Sequence, residues 1–173
     1  MKKLFLFLIA GAAISISSCE GPQGPPGPTG YTAESAVFEI TNVDFLPNDF
    51  AILFEFPQPI LSSDHVLTYR LSSSFQGEDV WQLLPQTYYF GDGTLDFAYN
   101  YDFTRIDVNV FIEGSDLGTL SSNFTQNQIL RFVVVPGYFA KSGIDKADYK
   151  AVTEALNLKE NNVKRMQVKN KEQ

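Results

Sequence analysis

A chain of 173 residues with 44% hydrophobic and 14% aromatic content supplies one domain with a real core and is too short for two comfortable ones. Its single cysteine excludes an intrachain disulfide, so stability must come from packing. Residues 19 to 140 hold fifteen carboxylates against Arg70, Arg105 and Arg131, with no lysine, which argues against nucleic acid as a partner because that binding draws on clustered positive charge.

Residues 1–18 carry Lys2 and Lys3, then the apolar run Leu4-Phe5-Leu6-Phe7-Leu8-Ile9-Ala10, then small residues. This is the layout of a secretory signal peptide, and the run is shorter than the ~20 apolar residues that a spanning helix needs. Ile16-Ser17-Ser18-Cys19 follows and resembles the lipobox of bacterial lipoproteins. The resemblance implies cleavage before Cys19, a diacylglyceryl group on its thiol and an acylated new amino terminus. A thiolate is a suitable nucleophile for the lipid donor, and several acyl chains give stable anchoring where one does not. The expectation is therefore an exported protein held to membrane lipid through Cys19, in the cell envelope and by preference at the outer membrane. Glu20 and its neighbours leave periplasmic and surface display both open.

Gly21-Pro22-Gln23, Gly24-Pro25-Pro26 and Gly27-Pro28-Thr29 are Gly-X-Y triplets, and Gly30-Tyr31-Thr32 is an imperfect fourth. Only glycine fits the axis of a collagen triple helix, but so few triplets offer little to offset the entropy of ordering three chains. Residues 19–33 read instead as a polyproline II tether reaching roughly 40 Å at ~3.1 Å per residue. Signal, lipobox, triplets and a β-rich body together look like the small collagen-like lipoproteins of Gram-negative bacteria, a resemblance that brings no catalytic residues with it.

Residues 34–140 follow a period of two. Leu95-Phe97-Tyr99-Tyr101 and Ile106-Val108-Val110-Ile112 alternate with mainly polar neighbours, as strands with one apolar face do. Further strands are expected over Val37–Phe45, Phe50–Phe56, His65–Leu71, Val80–Leu84 and Ile129–Val135, with a short extra one over Thr87–Phe90. Pro47-Asn48-Asp49 turns the first pair, Gly91-Asp92-Gly93 closes a hairpin and Gly114-Ser115-Asp116 ends a strand. About seven short strands predict an all-β antiparallel sandwich resembling the immunoglobulin and fibronectin type III folds, with Trp81 as a core anchor and a barrel as the alternative.

From residue 141 the period changes. Ile144, Ala147, Ala151, Ala155 and Leu158 share a helical stripe, and Ser142 with Asp145 has capping-box spacing. A C-terminal α-helix is expected over Asp145–Asn157, followed by a basic, polar, frayed tail to residue 173.

Candidate chemistry is sparse. His65 is the sole histidine and Cys19 is assigned to lipid, so no Cys-His catalysis or His/Cys zinc site is expected. The Asp64-His65 pair lacks a nucleophile elbow. Glu78-Asp79, Asp92 and Asp96 sit beside turns, which recruit aspartate for backbone reasons. The stretch "WQLLPQTYYF" contains Trp81, Tyr88 and Tyr89, the candidate ligand platform for sugar rings, with packing in the core as the alternative for the same aromatic residues. The functional expectation is a non-catalytic envelope protein with no cofactor, serving binding, adhesion or structure through a protein or glycan partner; the alternative is a carbohydrate-binding module.

Overall fold

Alternating apolar residues must bury one face of each strand, and in the computed structural model, which describes residues 35–167, they do so in two packed sheets. The expected signal segment, Cys19, the triplets and the rest up to residue 34, and residues 168–173 lie outside the described residues. Nine strands form among those described: β1 Ala36–Val43, β2 Ala51–Glu55, β3 His65–Phe75, β4 Glu78–Leu83, β5 Gln86–Tyr89, β6 Leu95–Phe103, β7 Asp107–Gly114, β8 Gln128–Val135 and β9 Val163–Met166. The order is β4-β3-β8-β1-β9 in a five-stranded sheet and β2-β7-β6-β5 in a four-stranded one. Every pair is antiparallel except β1 with β9, which runs parallel. Two short helices, α1 Ser122–Thr125 and α2 Tyr149–Ala155, complete the elements used below.

The core between the sheets takes Phe38 and Ile40 from β1, Leu130 and Phe132 from β8, and Phe54, Val108, Val110 and Ile112 from the opposite sheet. Phe54 stacks on Phe132 across the two layers, centroids 4.8 Å apart. Each such fully buried side chain contributes about 1.5–3 kcal/mol relative to exposure.

A second cluster lies on the far side of the five-stranded sheet. Val37, Leu67, Tyr69, Val133 and Val135 are buried there together with Phe139 and Val152 of the C-terminal segment. Strand β8 is consequently covered on both faces, and its residues from Leu130 to Val135 are all buried, apolar except for Arg131 rather than alternating apolar and polar.

The all-β sandwich is the architecture, with several differences from the expected detail. Nine strands replace about seven. In an immunoglobulin sheet the first two strands pair; here β1 pairs with β8, and β2 lies in the other sheet, so the likeness extends to the two packed layers and not to the strand order. Pro47-Asn48-Asp49 therefore carries the chain between sheets rather than closing a hairpin. The tightest hairpin joins β3 to β4, where Gln76 and Gly77 both have positive φ, 52° and 86°, between the paired Phe75 and Glu78. That is the I′ geometry matched to strand twist. The C-terminal helix is shorter than expected and is capped by Asp148, whose side chain accepts from the Ala151 amide at 3.0 Å; Ser142 and Asp145 lie in the turns before it. The tail expected to fray instead supplies β9, with Val163 opposite Val37.

Candidate functional site

The two broad faces of the sandwich are finished differently. One is sealed by the C-terminal segment. The other is the outer face of the four-stranded sheet, and its residues follow from alternation: Val108, Val110 and Ile112 of β7 point to the core, so Asn109, Phe111 and Glu113 point away. Register then sets their neighbours. Asn100 lies opposite Phe111, Asp102 opposite Asn109 and Ala98 opposite Glu113, with Ala51 and Leu53 of β2 on the other side of Phe111 and Asn109. Asn100 Nδ2 donates to Glu113 Oε2 at 2.7 Å, and Asn109 Nδ2 donates to Asp102 Oδ2 at 3.4 Å. Two amide–carboxylate pairs thus flank a half-buried phenyl ring. The four strands carry Glu55, Asp96, Asp102, Asp107 and Glu113 but no Lys, Arg or His, so this face repels anions.

The expected platform of Trp81, Tyr88 and Tyr89 is corrected by the structure, which sends the three rings to three places. Trp81 packs on Tyr149 at 5.6 Å within the second cluster, neither in the sandwich interior nor on an open surface. Tyr88 stacks on Phe97 at 4.5 Å with a 9° interplanar angle, and its hydroxyl accepts from Arg70 at 2.6 Å. Tyr89 is 64% exposed near the β5–β6 hairpin end, opposite the exposed Leu95. The physical reason is simple: Trp81 and Tyr88 belong to different sheets, and Tyr88 and Tyr89 are successive residues whose side chains must diverge.

Sequence reasoning missed a charged network on the sealed face. Arg131, 3% exposed on β8, pairs with Glu39 of β1 at 2.7 Å and with Glu160 at 2.8 Å. Arg165 of β9 joins the same two carboxylates at 3.0 Å and 2.6 Å, and Arg131 also donates to the Tyr149 hydroxyl at 2.7 Å. Burial disfavours the Arg131 charge, but Tyr149, Glu39 and Glu160 outweigh it and raise its pKa above the ordinary value. A lone arginine inside "ILRFVVV" and a lone glutamate inside "VFEI" were the available signals.

The remaining candidates serve the backbone. Asp64 is buried and accepts from the Leu61 amide at 3.1 Å, while His65 opens β3 in an exposed position. Asp92 Oδ1 accepts from the hydroxyl of Thr94 at 2.7 Å and from its amide at 2.9 Å, contacts that hold its pKa below the usual carboxylate value. Among the described residues no three His, Cys, Asp or Glu side chains converge as a metal ion would require.

No family model matches the chain, and no curated protein or solved structure is significantly similar to it.

Proposed function

We propose that the chain is an exported, lipid-anchored envelope protein that presents a non-catalytic β-sandwich, with the open face of the four-stranded sheet as its binding surface. The observation that carries this reading is the asymmetry of the sandwich: one face is closed by the protein's own C-terminal segment, while the other offers amide–carboxylate pairs around Phe111. Anchoring rests on the lipobox-like Ile16-Ser17-Ser18-Cys19, and the Gly/Pro run then serves as a spacer.

Of the ligand classes, carbohydrate is favoured by this same arrangement. A phenyl ring supplies apolar contact for the flat side of a sugar, and amides with carboxylates supply donors and acceptors for its hydroxyls. Two experiments test the reading. Incorporation of labelled fatty acid must depend on Cys19, and equal label in Cys19→Ser would remove the anchor. Retention of the protein on envelope polysaccharide must fall at least tenfold in Asn109→Ala/Phe111→Ala with the fold intact; unchanged retention would remove the binding face.

A further inference from the structure

Arg70 and Arg131 are both buried arginines, and they are satisfied differently. Arg131 has Glu39 at 2.7 Å. Arg70, 5% exposed on the inner side of β3, has only neutral partners: Nε donates to Gln86 Oε1 at 3.1 Å, Nη1 to Gln128 Oε1 at 2.9 Å and Nη2 to the Tyr88 hydroxyl at 2.6 Å. The Tyr99 ring lies 4.7 Å from its guanidinium carbon. Among the described residues no carboxylate stands within ion-pair distance of it. A guanidinium carries five N–H donors, so these contacts use three. One pleat along the same strand, Thr68 Oγ1 is also buried and has no hydrogen-bond partner among the described residues. Burying a cation without an acid is costly, and the inner row of β3 holds more donors than its neighbours satisfy.

The position lies beside one margin of the sandwich. Strands β4 and β5 are edge strands of the two sheets. Gln82 of β4 lies opposite Arg70 in the ladder, is exposed, and contacts the half-buried Gln86 through its amide. Gln86 thus places a neutral oxygen where an anion would meet the guanidinium. We propose that Arg70 is a binding site for a small carboxylate, which enters between the β4 and β5 edges, turns Gln86 outward toward Gln82 and takes the Nε/Nη2 edge in a bidentate pair. The Tyr88 hydroxyl, which accepts from Arg70, keeps its own proton to donate to the second carboxylate oxygen. This site lies between the sheets and is separate from the open face, so it stands or falls independently of the carbohydrate reading.

Formate is the probe, because it is the smallest carboxylate. Thermal unfolding of the full-length chain in a neutral detergent is followed as formate replaces chloride at constant ionic strength. The expected result is a saturable rise of the midpoint, about 5 °C at tenfold above half-saturation, together with a saturable shift of the Arg70 Nε–H resonance. Gln86→Glu carries its own carboxylate to the same place and is expected to fold with a midpoint flat in formate. A parent midpoint indifferent to formate, or a Gln86→Glu variant that responds as strongly as the parent, overturns the proposal.

Discussion

The guanidinium of Arg131 lies 4.2 Å from the centre of the Trp81 ring. That contact joins the central strand of the five-stranded sheet to its edge strand, and Tyr149 of α2 closes over both, 5.0 Å from Tyr69 and 5.6 Å from Trp81. Since Trp81 is the only tryptophan, its fluorescence reports directly on whether the C-terminal segment is seated.

Arg131→Met removes the buried one of the two arginines on Glu39 and leaves the more exposed Arg165 as its partner. It is expected to destabilise the fold by roughly 3 kcal/mol, the low end of the range for breaking a buried pair from one side. Trp81→Ala, at a half-buried position, is expected to cost about 2 kcal/mol through lost packing and the cation–π contact. Urea unfolding followed by far-UV dichroism measures both, and an Arg131→Met midpoint equal to the parent would contradict the assigned network.

Ending the chain after Leu158 deletes β9 together with Glu160 and Arg165. The Arg131–Glu39 pair survives, but Val163 no longer covers Val37. The expected outcome is a folded protein weaker by roughly 2–3 kcal/mol, with Trp81 emission shifted to the red. Unchanged emission and stability would mean that β9 is not seated in solution.

Alkaline pH should unfold the protein through its tyrosines. Burial raises the pKa of Tyr69, Tyr99, Tyr101 and Tyr149 above the ordinary tyrosine value, Arg70 opposing the rise at Tyr99 and Arg131 at Tyr149. Tyr69 and Tyr101 donate to the carbonyls of Lys146 and Val66, bonds that a phenolate cannot make. The folded chain therefore keeps protons that the unfolded chain releases near pH 10. This contribution to stability is complete below that pH and declines as pH rises above it. Tyrosinate absorbance from these residues should appear together with loss of structure; full ionisation in a folded protein would refute the assignment.

Gly137→Ala tests a close approach. A Cβ at this position would lie 2.4 Å from the carbonyl oxygen of Ser63, and backbone cannot retreat as a flexible side chain does. A loss of about 1–3 kcal/mol is expected, as for overpacking elsewhere, measured by the shift in urea midpoint. Gly91, with nothing nearby, serves as the control.

Eight of the nine strands were legible because they are bounded by turn residues and carry period-two patterning or β-rich composition. The pairing of β1 with β8 was not, since both segments are apolar in ways that fit many partners and roughly ninety residues separate them. Beside Glu39 and Arg131, the sealed face had a further readable sign: Val133, Val134 and Val135 in succession cannot all face a single core. Strand β9 escaped because "VKRM" is only four residues long and its apolar Val163 and Met166 do not alternate with period two, and its place is set by Arg165 reaching Glu39 as well as by Val163. Aromatic clustering along the sequence misled for a related reason. Trp81 and Tyr88 are close in the chain, yet the passage from β4 to β5 crosses from one sheet to the other. The open face went unnoticed because Asn100, Asn109 and Phe111 acquire meaning only when β6 and β7 are aligned in register.

Strand β1 is the first strand of the described domain and is flanked on both sides, by β8 running against it and β9 running with it. Tension arriving from the amino-terminal side thus enters an interior strand of the sheet, not an edge. To peel that strand away, a pull has to break two ladders together with the Glu39 links to Arg131 and Arg165, instead of opening one ladder bond by bond. The C-terminal strand acts in this sense as a mechanical latch: a protein held by its amino-terminal end would have a strand braced on both sides at the point where the load comes in.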